Sequence, residues 1–339
     1  MESCRSAIII RNFLILFFLL PCIEALSAKG HSGIHEVQRV ILDTDIDSDV
    51  DDAGALAMIL NMHKKGIINL LGIITTSDDP FAPVCVSSIC TYYGCKEIPV
   101  GFLKGQAVLT NHSKYTKFIS LEFPSEIPSW DKAEESTSLY RRLLFNSPDE
   151  SVIILTIGQL SSLKKLLDSA PDGITQLTGS KLTDYKVKKW ICMGGQYPTG
   201  REANFSRPDP QSTLFCLQHW DKEVIFCGWE AGEKIITGGV SLKTSLRPDN
   251  PVYRAYELYN NFAGRSSWDQ TAILQLTDKA ETFFTFSTPG SCVVDKSGKN
   301  VWKNDMSGKQ KYIIINPSAN IKEIESYIES WITGSRAGF

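Results

Sequence analysis

Three short stretches, apolar at every position rather than at alternate ones, constrain this chain more than any other feature. They are Val40-Ile41-Leu42, Leu70-Leu71-Gly72-Ile73-Ile74 and Val152-Ile153-Ile154-Leu155. A strand with one wet face alternates, whereas a continuous apolar run needs cover on both faces. Segments of helical composition separate the runs. The fold class read from this is α/β, a single domain with a mostly parallel central sheet flanked by helices. Strands are predicted at Arg39–Thr44, Ile67–Thr75, Ser151–Ile157, Lys189–Met193 and Val224–Cys227, and helices at Asp51–Lys65, Val84–Tyr93 and Gln159–Ser169. From Pro251 the chain turns helix-rich, with added strands at Thr282–Phe286, Cys292–Asp295 and Tyr312–Ile315 and a terminal amphipathic helix at Ile321–Ile332. With 339 residues, 42% of them hydrophobic, such a domain can bury a sizeable core.

The first residues are set apart from that fold. Arg5 and Arg11 precede an apolar run from Phe13 to Leu20, followed by Pro21 and the small residues Ala25, Ser27 and Ala28. That order describes a signal peptide over 1–27, leaving a domain over 28–339 and a secreted or lumenal location. No later run is long enough for stable membrane insertion. Seven cysteines follow the signal, an odd number, and buried free thiols are expected for Cys192 and Cys227. Asn111-His112-Ser113 is an N-glycosylation sequon in an expected loop. A net charge of -3 gives no basic excess to grip a phosphate backbone, which argues against a nucleic-acid partner.

In open parallel sheets, ligands sit beyond the carboxyl ends of the strands. The turns to examine are therefore Asp43–Asp52, Thr75–Pro80, Ile157–Gln159 and Met193–Phe205. The first carries six carboxylates in ten positions: Asp43, Asp45, Asp47, Asp49, Asp51 and Asp52. Anions packed this closely repel, and some must hold protons unless a cation intervenes. Carboxylates without accompanying His or Cys favour Ca²⁺ or Mg²⁺ over zinc. Helix capping would account for one or two of these acids only. An EF-hand loop would need Gly at its sixth position and Glu at its twelfth, and no frame here has both.

At this turn the sequence resembles the inosine–uridine-preferring nucleoside hydrolase family, which opens with Asp-Thr-Asp-Pro-Gly-x-Asp-Asp-Ala. Here Asp43-Thr44-Asp45 and Asp51-Asp52-Ala53 match the ends, and the middle is two residues longer. It is similar to a divergent branch reading Asp-Ile-Gly-Ser-Asp-Val-Asp-Asp, with Asp47 in place of the Gly. Further likenesses follow in order: Ile157-Gly158-Gln159-Leu160, Met193-Gly194-Gly195, Glu202-Ala203-Asn204-Phe205 and Trp268-Asp269-Gln270-Thr271-Ala272. The resemblance implies a Rossmann-like core and calcium as cofactor, held by Asp45, Asp51 or Asp52, Asp269 and the Ile157 carbonyl. It implies hydrolysis of the N-glycosidic bond of a small-molecule nucleoside through an oxocarbenium-like ribosyl cation. Asp45 is the expected general base, with Asp47 and Asp49 as alternatives. Glu202 and Asn204 would bind the sugar hydroxyls, Asp78 or Asp79 would contact ribose, and Trp268 would stack on sugar or base. Homo-oligomeric association is a further expectation by analogy.

The chain also departs from the family. Trp268 stands where many members carry a His that protonates the leaving base, so no leaving-group acid is assigned and the base preference stays open. Two other readings follow: a secreted calcium-binding homologue without catalysis, and a hydrolase of another N-ribosyl compound. Asn204-Phe205-Ser206 is itself a sequon, expected to stay unmodified if Asn204 serves the sugar.

Overall fold

A continuous apolar strand is stable only when layers cover both its faces, and residue alternation shows how this chain supplies them. The computed structural model describes residues 37–47, 49–105 and 110–335. The expected signal peptide over 1–27 lies outside the described residues. Fourteen strands occur among those described. β1 (Gln38–Thr44), β2 (Ile68–Thr75), β3 (Val100–Phe102), β4 (Glu134–Glu135) and β5 (Val152–Thr156) come first. β6 (Val187–Met193), β7 (Thr199–Gly200), β8 (Glu223–Cys227), β9 (Ile236–Thr237) and β10 (Arg265–Ser266) follow. β11 (Phe284–Phe286), β12 (Gly290–Val294), β13 (Asn300–Asn304) and β14 (Gln310–Ile315) complete the set.

The main sheet runs β4-β3-β2-β1-β5-β6-β8-β14 in parallel. It continues antiparallel through β12, β13 and β7, and β11 pairs with β14. Along β1, Val40 and Leu42 enter one hydrophobic core while Ile41 enters the other. The first core is formed with helices Asp51–Lys64, Ala82–Tyr92, Pro251–Asn260, Trp268–Leu274 and Ile321–Ile332. Helices Ser136–Phe145, Ser161–Leu167, Gly179–Lys186 and Pro210–His219 cover the other face. Helix Asp51–Lys64 is buried at every position from Asp51 to Met62, as a helix apolar all round should be.

The chain steps outward from β1 to β4, then returns to start β5 on the other side of β1. The switch point thus lies between β1 and β5, where the acidic turn and Ile157 leave the sheet.

Most expected elements appear within a residue or two. The helix expected over Gln159–Ser169 shortens to Ser161–Leu167, because the Gln159 side chain is drawn across the switch point to donate to the Thr76 carbonyl (3.3 Å). Thr282–Phe286 divides into a helical turn, Ala280–Phe283, and the strand Phe284–Phe286. The seven cysteines among the described residues are all buried and unpaired. No described helix is long and apolar enough to cross a membrane.

Candidate metal and substrate site

Strand alternation divides the acids before any tertiary contact does. Asp43, on the same face as Ile41, points away from helix Asp51–Lys64 and accepts from Tyr140 Oη (2.7 Å) and Thr76 Oγ1 (2.5 Å). Burial pushes its pKa up to about 7, against the pull of those two hydroxyls. Thr44 faces the other way, and its hydroxyl donates to Asp52 Oδ1 (2.5 Å). Ile46 and Val50 are fully buried and pin the turn between its acids. Asp47 accepts from Ser77 Oγ and meets His112 Nε2 at 3.1 Å, and burial lifts its pKa to about 6. Asp49 is matched by Arg265, whose Nε lies 2.8 and 3.0 Å from the two carboxylate oxygens and whose Nη2 also donates.

Asp51 and Asp52 open helix Asp51–Lys64, and Asp269 lies in the first turn of helix Trp268–Leu274. One carboxylate oxygen from each lies within 4.8 Å of the others. The three residues are 2%, 2% and 4% exposed. Two helix N-termini therefore converge on one point, with their amide dipoles favouring negative charge there. Gly54 permits the approach, since a Cβ at that position would fall 2.7 Å from Gln270 Nε2 and 2.5 Å from Tyr256 Oη. The backbone N–H of Asp269 donates to Asp51 (3.2 Å), and Gln270 Nε2 donates to the Asp51 carbonyl (3.1 Å). Asp269 does not cap its helix; Ser267 holds the N-cap position.

Burial raises the pKa of all three carboxyls, and neighbouring acids raise it further: Asp49 for Asp51, Asp45 and Asp51 for Asp52, Asp51 and Asp52 for Asp269. The donor set is all oxygen, buried and strongly anionic, which fits a hard divalent cation. The triad could hold a metal ion.

Asp45 stands beside the triad, partly buried. Its carboxyl rests on Gly158, where a Cβ would fall 2.5 Å from Asp45 Cγ, so only glycine fits there. Burial raises its pKa, followed by the charges of Asp47, Asp51 and Glu202. Ile157 donates its N–H to the Asp43 carbonyl (2.8 Å) and receives Asn204 Nδ2 on its own carbonyl (3.2 Å). Asn204 Nδ2 also reaches the Met193 carbonyl (3.4 Å), joining the ends of β5 and β6.

Glu202 is spent on the backbone: it accepts from Asn204 N (2.7 Å), Gly195 N (2.9 Å) and Phe205 N (3.2 Å). Its carboxylate builds the short helix Ala203–Ser206 and the Met193-Gly194-Gly195 turn, a different task from the sugar contact expected of it. Gly195 has φ +80°, and Gly194 lies against the Phe205 ring, so both glycines are required.

After β2, Asp79 is fully buried and accepts from Phe81 N (2.9 Å), Asn111 Nδ2 (3.1 Å) and Thr116 Oγ1. It fastens the loop over 110–116 and leaves little for a ribose. Asp78 is more open. It accepts from Thr110 Oγ1 (2.7 Å) and lies 3.9 Å from His112 Nδ1. Asp47, Asp78 and His112 form a second cluster within 4.8 Å, linked to one another rather than left as free ligands.

Trp268, expected to stack on sugar or base, is half-buried. Its Nε1 donates to the Trp229 carbonyl (2.9 Å) and its ring is packed on Gly232. The Arg265 guanidinium lies over the ring, with Cζ 4.7 Å from the centroid. Sequence reasoning overlooked Arg265. The available signal was charge balance: a lone arginine four residues before a candidate ligand in a crowded acidic site.

No family model matches the chain, and no curated protein matches it in sequence. Solved structures do match in fold. A plant nucleoside hydrolase is 16% identical over 88% of this chain and 99% of its own, with a TM-score of 0.63. The inosine-uridine preferring nucleoside hydrolase from Bacillus anthracis is 14% identical over 88% and 100%, also at 0.63. A type III effector protein complexed with adenosine diphosphate ribose is 12% identical over 89% and 94%, at 0.62. At such identities the likeness establishes a shared fold. The chain has the α/β architecture of the nucleoside hydrolases over almost the whole of their length.

Proposed function

We propose that this protein is a secreted, calcium-dependent hydrolase of N-ribosyl compounds, releasing a base from a ribonucleoside. The observation that carries the reading is the buried Asp51, Asp52 and Asp269 triad, with Asp45 beside it, at the switch point of a nucleoside hydrolase fold. Asp45, Asp51, Asp52, Asp269 and the Ile157 carbonyl are the groups that would hold calcium. Bound there, calcium would supply concentrated positive charge that gathers hydroxyl and water oxygens.

The chain's own residues account for the rest. Asp45, fixed against Gly158, takes the proton from the attacking water. As the base departs, positive charge grows on the ribose, and the surrounding carboxylates stabilise it. With Asn204 Nδ2 bound to backbone, Asn204 Oδ1 is the group left to accept from a sugar hydroxyl. Modification of that Nδ2 by a glycan would remove one of its two hydrogens and with it one of the bonds joining β5 to β6. At Asn111 a glycan would replace one amide hydrogen and leave the other for Asp79 (3.1 Å).

The test is free-ribose release from a ribonucleoside panel by the mature protein, with calcium and after chelation. Release should require calcium and fall about 100-fold or more in Asp45→Asn, the usual scale for losing a general base. Calcium binding without release from any substrate would instead support the non-catalytic reading, which the packed Trp268 ring favours. Absence of calcium binding would overturn the site.

A further inference from the structure

Cleavage of an N-glycosidic bond leaves an electron pair on the base nitrogen, and the reading above provides nothing to receive it. Two cationic or protonatable side chains stand at the acidic turn. His112 is half exposed (51%), and its Nε2 meets Asp47 at 3.1 Å while Nδ1 lies 3.4 Å from Thr110 Oγ1, so both ring nitrogens already have a partner. Arg265 is placed differently. It sits on β10, which pairs with β9 and leads directly into the helix that presents Asp269. Asp49 takes Nε and Nη2. The guanidinium lies over Trp268, with Cζ 4.7 Å from the ring centroid, and the Tyr259 ring centroid is 5.9 Å from Cζ. The side chain is one-third exposed (34%), and its charge is felt at Asp51. Arg265 is thus a held cation with its Nη1 edge uncommitted among the described residues.

Resting on the hydrolase reading, we propose that Arg265 is the leaving-group residue. The C1′–N bond breaks with its electron pair passing to the base. Water oxygen forms the new bond to C1′, and its proton goes to Asp45. Arg265 donates a hydrogen bond to the departing base and offsets its negative charge. A guanidinium does not give up its proton, so the base leaves as an anion and takes a proton from solvent. The chemistry favours bases that present carbonyl and ring-nitrogen acceptors to the guanidinium, such as 6-oxopurines. A 6-aminopurine, which presents N–H donors there, is disfavoured.

The experiment compares kcat/KM for inosine, adenosine and p-nitrophenyl riboside, whose leaving group needs no help, in wild type, Arg265→Lys, Arg265→Gln, Asp49→Asn/Arg265→Gln and His112→Gln. The double variant leaves no unpaired Asp49 charge. Thermal unfolding and calcium titration accompany each protein. The inosine to p-nitrophenyl riboside ratio should fall about 100-fold in Arg265→Gln and in the double variant, the scale for removing one charge-stabilising donor. The preference for inosine over adenosine should shrink with it, while calcium affinity is retained. An equal loss on both substrates would show that Arg265 only braces the turn and would overturn the proposal alone. A fall in the ratio seen in His112→Gln and absent from the Arg265 variants would also overturn it. Wild-type protein inert towards every substrate would overturn the hydrolase reading and this proposal with it.

Discussion

Two parts of this molecule place charge beyond the reach of water, and they do so in opposite ways. Under helix Ser136–Phe145, Arg141 has a side chain only 2% exposed. Its guanidinium donates to Asp172 (2.7 and 3.0 Å), Ser169 Oγ (2.8 Å) and the carbonyls of Thr175 (3.3 Å) and Leu177 (2.9 Å). Every face of that cation has a partner supplied by the chain. At the switch point, Asp51, Asp52 and Asp269 are equally buried, yet each faces other acids, and the Arg265 cation, already paired with Asp49, offsets only part of the repulsion at Asp51. Buried charge that the chain itself satisfies serves the architecture. Buried charge that it leaves crowded points to something from outside.

Breaking the satisfied region should produce the larger loss of stability. Arg141→Met keeps much of the volume but takes the cation from Asp172 and a donor from the Leu177 carbonyl, the Thr175 carbonyl and the Ser169 hydroxyl. The expected cost is about 3 kcal/mol, since several charge-assisted hydrogen bonds of a buried guanidinium, each worth about 1.5 kcal/mol or more, are lost together. Chemical denaturation should show the midpoint shift, while ribose release per folded molecule stays unchanged. A loss of activity at full folding would mean that the two regions are coupled.

The contrast also explains what the sequence discloses. Strands Gln38–Thr44 and Val187–Met193 and helix Ile321–Ile332 follow from local pattern, since burial on both faces or on one stripe is written into consecutive residues. Val100–Phe102 and the edge strand Glu134–Glu135 beside it are too short to show a period. Asp51 and Asp52 are legible because like charges crowd along the chain, and Asp269 through the family resemblance. Arg265 is not, because its partner Asp49 lies 216 residues away and only folding brings them together. The same holds for Gly158, whose missing side chain makes room for Asp45. Trp268 is visible as an aromatic beside a ligand, but sequence does not say that Gly232 and Arg265 cover its ring.

The unsatisfied region should respond to cation and pH. Without metal, Asp47 and Asp43 hold their protons to about 6 and about 7, whereas in the unfolded chain they release them near 3.8. Between those values the folded state binds more protons, so its stability falls as pH rises from about 4 to about 7. Calcium should reverse the trend at neutral pH. At 100 times its dissociation constant it adds about 2.7 kcal/mol, seen as a higher Tm. Asp51→Asn should lose that shift and be the more stable protein in chelator, because one buried repulsion is gone. If chelated protein is as stable at pH 7 as at pH 5 and indifferent to calcium, the crowding has been misjudged.

The satisfied region predicts the opposite pH signature, and a smaller one. Asp172 accepts from Arg141 and from the N–H groups of Ile174 (3.0 Å) and Thr175 (3.1 Å), and the guanidinium holds its pKa down at about 2 against 3.8 unfolded. The unfolded chain therefore takes up this proton first. The stabilisation is complete above pH 3.8 and is lost as pH falls towards about 2. Because Asp172 is 36% exposed, solvent screening reduces its worth to about 1 kcal/mol. Asp172→Asn should lower stability by that amount at pH 5 and by almost nothing near pH 2. The two denaturation curves would then converge in acid, while the calcium-dependent shift at neutral pH stays the same in both proteins. Parallel curves down to pH 2 would mean that the backbone N–H bonds, which an asparagine oxygen can keep, outweigh the charge on Arg141 in holding this loop.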